Sequence, residues 1–179
     1  MTDIKIVREF PHKPQKVWRA LTEPDLIALW GMRPEGFEAV VGNRFKFVAK
    51  PNPGWRGFVE CEILEAKKPS GPSSGVLRYS WIGDDNGSAT IVTFTLEPTA
   101  SNGTKLVFEH TGFTGVGGFL LAKLMMGPGW KKMLTTSFPA VLTNSDETGT
   151  LHPNHKLEPR FGPPTKKPSP DSSQPIHQA

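Results

Sequence analysis

β-Branched apolar residues are interspersed with charged ones from Ile4 to Phe10, and Pro11 closes the run, which predicts a β-strand. Pro14 suits a first helical turn, and Val17, Trp18 and Leu21 then recur at helical spacing. Thr22 is expected to cap a second short helix, which carries Leu26, Ile27, Leu29 and Trp30 and ends at Gly31 and Pro34. From Gly36 the period becomes two. Strands are expected near 37–41, 43–50, 56–66, 75–82, 88–97 and 104–111, divided by turn residues such as Gly42-Asn43, Pro53-Gly54 and Asp85-Asn86-Gly87. These connections are too short for crossover helices, so antiparallel hairpins are the economical topology. After Gly112 the period returns to 3.6. Residues 116–126 form an apolar helical segment, Gly127-Pro128-Gly129 is expected to interrupt it, and a longer helix runs from Trp130 to Leu142. Trp130, Leu134 and Phe138 share one face of that helix, and Pro139 should kink its last turn.

The order is one strand, two short helices, six strands and a long helix. It predicts an α+β domain: a curved antiparallel sheet of about seven strands, with the C-terminal helix covering one face. Strand alternation sends Phe45, Phe47, Ala49, Val59, Cys61, Ile63, Leu77, Tyr79, Trp81, Val92, Phe94, Leu96, Leu106, Phe108 and His110 inward. That face is rich in aromatics and poor in polar atoms. It reads either as a filled core or as the wall of an apolar cavity, the usual form of a small-molecule site.

Composition divides the chain. Residues 144–179 hold five hydrophobic residues and seven prolines. This part is expected to be a Pro-rich disordered tail behind a folded domain of residues 1–143. A single cysteine, Cys61, rules out an internal disulfide and a Cys-based zinc site, and it reads as a small inward hydrophobe. The N-terminus lacks the apolar run of a signal peptide, so a cytoplasmic location is expected. Net charge is +4 without a basic block, which argues against nucleic acid, and no apolar stretch is long enough to span a bilayer. His152 and His155 lack further ligands, so no metal is assigned, and no cofactor motif is complete.

The strings "IVREFPHKPQKVWRALTEPDLIALW", "LVFEHTGF" and "GPGWKKMLTTSFPAVL" resemble the START-like (SRPBCC) superfamily over residues 4–142. Within it they are most similar to bacterial proteins related to the C-terminal domain of the heat-shock-chaperone ATPase activator. The resemblance implies the helix-grip fold, with a hydrophobic cavity between sheet and helix, and a binding or lipid-transfer activity. In the eukaryotic activator, ATPase stimulation depends heavily on a separate N-terminal domain that has no counterpart in this stretch. Gly115–Gly127 looks like an apolar insertion.

The leading expectation is non-catalytic binding, or transport, of a small hydrophobic or lipid-like ligand. Trp30, Phe45, Phe47, Tyr79, Trp81, Phe94, Phe108, His110, Trp130, Met133, Leu134 and Phe138 are the candidate ligand contacts. The alternatives are a polyketide cyclase-like enzyme using His110 and Tyr79 as acid and base, and a chaperone ATPase-activating module. Residues 116–126 are apolar around most of the helix, so they are expected to act as a lid, a homodimer surface or a protein contact.

Overall fold

The computed structural model describes residues 3–83 and 88–165. Seven strands form one antiparallel sheet: β1 (Ile4–Phe10), β2 (Arg33–Glu35), β3 (Arg44–Val48), β4 (Phe58–Lys67), β5 (Gly75–Trp81), β6 (Thr90–Pro98) and β7 (Thr104–Thr111). Their spatial order is β1-β7-β6-β5-β4-β3-β2. Helices α1 (Pro14–Thr22) and α2 (Pro24–Trp30) follow β1, and a long helix closes the domain over 115–143. This is the helix-grip fold, with β1 and β2 as the two edges. The turn expected at Asp85-Asn86-Gly87 lies outside the described residues.

Alternation sets the two faces of the sheet. Phe45 and Phe47 are buried while Arg44 and Lys46 are exposed, and β5, β6 and β7 repeat the pattern. Cross-strand ion pairs cover the outer face, among them Lys5–Glu109, Arg44–Glu62 and Lys105–Glu97. Each adds little, but together they keep the outer surface polar.

Three local expectations are corrected. Residues 37–41 form no strand; the short edge strand is Arg33–Glu35 instead. Gly36 and Gly42 take positive φ, and the Asn43 side chain closes the loop between them, accepting from Glu38 N–H at 3.0 Å and donating to Gly36 C=O at 3.2 Å. Val40 and Val41, which supplied the apolar signal, point into solvent. Thr22 does not cap α2, because it stays within α1 and its hydroxyl donates to Trp18 C=O. Gly127-Pro128-Gly129 does not break the long helix.

Two π turns carry the long helix past its prolines. They span Ala122–Met126 and Met133–Ser137, and Pro128 and Pro139 follow at the second position of the next α segment. A proline inside an α-helix lacks an N–H and crowds the carbonyl four residues back. Widening the preceding turn moves the hydrogen bond of Gly127 to Ala122 C=O, and that of Phe138 to Met133 C=O. The second π turn also serves packing. A spacing of four drifts by about 40° per step on a regular α-helix, and the wider turn reduces that drift. Trp130, Leu134 and Phe138 accordingly all face the sheet and are buried.

The described part of the C-terminal segment, 144–165, lies against the domain rather than forming a loose tail. Lys16, itself buried, donates to Ser145 C=O at 2.8 Å; Leu151 and Leu157 pack on the core; and Arg33 donates to Phe161 C=O at 3.0 Å. Thr165 bridges Glu35 at the β2 edge. A sequence poor in apolar residues is held here mainly by backbone carbonyls that accept from Lys16 and Arg33. Residues 166–179 lie outside the described residues.

Candidate functional site

The concave face of the sheet and the long helix meet in a continuous aromatic layer. Phe45 and Phe47 come from β3, Tyr79 and Trp81 from β5, Phe94 from β6, and Phe108 and His110 from β7. Trp130, Leu134 and Phe138 descend from the long helix, and Trp30 enters from α2. The structure buries all of these candidate residues, while Met133 is half-buried at the margin. The rings touch one another: Phe108 and Trp130 centroids lie 4.4 Å apart, Trp81 and Trp130 5.5 Å, and Trp30 and Phe138 5.2 Å. Trp30 already has a structural task, since its indole N–H donates to Ala20 C=O at 2.9 Å and ties α2 to α1.

His110 sits at the end of β7 within a closed hydrogen-bond chain. The Trp130 indole N–H donates to His110 Nδ1 at 3.1 Å. An indole nitrogen only donates, so Nδ1 is the acceptor and the neutral ring carries its proton on Nε2. Nε2–H then donates to Thr90 Oγ1 at 2.7 Å, and the Thr90 hydroxyl donates to Trp81 C=O at 3.2 Å. Every polar atom of the chain is satisfied. Burial away from water disfavours the imidazolium and lowers the pKa from 6.5 to about 4. The ring is also walled by Phe113, 4.6 Å away between centroids, and by Trp81 at 5.6 Å.

Thr90 and Phe113 belong to this site and were not among the residues expected for it. Thr90 has the same parity as Val92 and Phe94, so alternation along β6 carries the signal for its inward side chain. Phe113 lies past the strand, where periodicity carries none.

His110 and Tyr79 are not brought together. Both stand opposite Val92, on either side of β6, which separates their backbones by about 10 Å. Tyr79 is ringed by Phe45, Phe47 and Phe94. Burial first, and the Cys61 sulfur second, push its phenol well above the ordinary value. Burial likewise raises the Cys61 thiol, which makes it a poor nucleophile. No group of three or more His, Cys, Asp or Glu converges among the described residues. An open concavity of about 720 Å³ lies over the outer face of β3–β5, where Arg44, Lys46, Glu60, Glu62 and Ser80 line it. Its charges pair with one another, Arg44 with Glu62 and Lys46 with Glu60.

The sequence profile of the family described as "Activator of Hsp90 ATPase homolog 1-like protein" matches residues 11–143. The chain belongs to this family. As a member of the activator of Hsp90 ATPase homolog 1-like family, it is similar in structure to several solved proteins. Protein MLL2253 from Mesorhizobium loti is 30% identical, with a TM-score of 0.66, over 81% of this chain and 99% of that one. CalU16 from Micromonospora echinospora is 24% identical (TM-score 0.59), over 78% of this chain and 74% of that one. The Aha1 protein from Colwellia psychrerythraea, whose solution structure is a dimer, is 22% identical (TM-score 0.55), over 75% of this chain and 91% of that one. The last two likenesses bear on the fold alone. No protein of curated function matches the chain.

Proposed function

We propose that this chain binds a small hydrophobic molecule between the concave sheet and the long helix, without catalysing a reaction on it. One observation carries the reading. The interior is lined by aromatic rings, and its one titratable histidine is neutral, with both ring nitrogens engaged by Trp130 and Thr90. Such an interior offers broad apolar contact and no free acid or base. A ligand must part rings that now touch, and the roof at the Trp81–Trp130 end is the part best suited to open. Residues 115–126 reach that end through Gly118 beside Phe113 and Met126 on the core, and of their own side chains they bury Ala122 alone, so few of their contacts are lost on lifting. The cyclase-like alternative is disfavoured by the separation of Tyr79 from His110.

Native mass spectrometry of protein purified from its own host tests the proposal. A copurifying hydrophobic molecule is expected, with a rise in Tm on adding fatty acids or aromatic compounds. A bare mass together with an unchanged Tm across such a library refutes it. A second reading, an interaction module of a chaperone ATPase, is favoured by the family the chain belongs to. It requires that the full chain raise the ATPase rate of the host chaperone, and an unchanged rate removes it.

A further inference from the structure

The segment that roofs the aromatic layer has an unusual outer surface. Val116 is 78% exposed, Leu124 70% and Met125 66%, and Phe119, Leu120 and Leu121 are also open to solvent. At about 100° per residue they join into one broad strip that covers roughly two-thirds of the helix circumference and has Lys123 within it. Scattered exposed apolar residues need no explanation, but a strip of six large ones marks a contact surface. Its charge is one-sided as well. Lys123, Lys131 and Lys132 lie exposed on the same helix, and none has an ion pair among the described residues. Lys123 Nζ stands 5.7 Å from the centre of the Phe119 ring. No Asp or Glu occurs between Glu109 and Asp146.

We infer that the helix over 115–126 docks this protein reversibly onto an anionic lipid bilayer. The apolar strip enters the boundary between headgroups and acyl chains, while the lysine stems run along it and keep their ammonium groups among the phosphates. Charge selects this occupant over a second copy of the chain. An isologous dimer through the strip would bring no carboxylate of the helix to Lys123, Lys131 or Lys132, whereas anionic headgroups offer each of them a partner. The helix lies on the membrane rather than crossing it. Twelve residues reach about 18 Å against a hydrocarbon core of about 30 Å, and no helix among the described residues is long and apolar enough to span.

The test uses the full chain and defined vesicles. Phosphatidylcholine vesicles, and the same vesicles with phosphatidylglycerol added, are sedimented with the protein at low and high salt. Binding to the anionic vesicles at least tenfold above the neutral ones is expected, and salt should weaken it. Leu124→Glu and Met125→Glu should abolish sedimentation, and because both side chains are exposed the Tm should stay unchanged. Each of Lys123→Glu, Lys131→Glu and Lys132→Glu should weaken binding by about fivefold or more. Equal or absent sedimentation with both vesicle types overturns the inference, as does a Leu124→Glu variant that binds like the parent. A dimer in sedimentation velocity that Leu124→Glu dissolves would assign the strip to a second copy instead. Vesicle binding reads the outer strip and ligand uptake reads the interior, so failure of one is distinguishable from failure of the other.

Discussion

Acidification between pH 6.5 and 4 should destabilise this domain through His110 in particular. The ring is neutral and fully hydrogen-bonded in the native state, and its pKa is held at about 4 instead of 6.5 by burial. In the unfolded chain it takes up a proton near 6.5. Between those values the unfolded state therefore binds more protons than the native state, so stability rises with pH and falls as acid is added. The contribution is fully present above pH 6.5 and lost by about pH 4. At about 1.4 kcal/mol per pH unit, that interval corresponds to about 3 kcal/mol, a sizeable share of a domain's total stability. The assay is urea unfolding followed by tryptophan fluorescence at half-unit pH steps, for the parent and for His110→Gln. Glutamine can accept from Trp130 and donate to Thr90, but it does not titrate. Taking the difference between the two proteins cancels the carboxylates and His12, whose pKa is also lowered, chiefly by burial. The parent should lose about 3 kcal/mol more than the variant across the window. Parallel curves would refute both the neutral state and the reasoning from burial. Nitrogen chemical shifts of His110 offer a direct check: at pH 5 they should report a neutral ring protonated on Nε2.

Other perturbations probe separate parts of the argument. Trp130→Phe removes the indole donor to His110 Nδ1, so the neutral imidazole loses a partner and the His110 pKa should rise in an NMR titration, with about 1 kcal/mol or more lost in urea unfolding. Lys16→Met leaves Ser145 C=O without its buried donor and Glu147 without its ion pair; about 1–3 kcal/mol should be lost, and amides over 144–151 should exchange faster with deuterium. Gly103→Ala would place a Cβ 2.5 Å from Phe10 C=O, where the β6–β7 turn meets the end of β1, so the backbone must shift and the Tm should fall by several degrees. An unchanged Tm would mean that this turn yields freely.

Legibility in the sequence tracks the range of the physics. The period of two along β3 to β7 was readable because each inward side chain repeats a single environment, and the inward residues expected there are buried except Ala49, which lies just past the end of β3 and is half-buried. Residues 37–41 misled because a largely apolar run such as Phe37-Glu38-Ala39-Val40-Val41, bounded by glycines, resembles a short strand while two positive-φ glycines and the Asn43 side chain hold a loop. The prolines of the long helix misled for a different reason. Pro128 and Pro139 disfavour a regular α turn, and each π turn answers by moving a hydrogen bond to the carbonyl five residues back, so the helix continues.

The residues by themselves determined the order of strands and helices, the aromatic inner face and the apolar character of 116–126, because periodicity acts locally. Tertiary structure alone decided what His110 is. Its parity shows that it faces inward, but its protonation depends on Trp130 and Thr90, each 20 residues away along the chain, and on the water that packing excludes. It also decided that Tyr79 and His110 stand apart, since the register of β5, β6 and β7 is set by pairing across strands. The seating of 144–165 on Lys16 and Arg33 has the same origin: a side chain reaches a distant carbonyl only once the chain has folded.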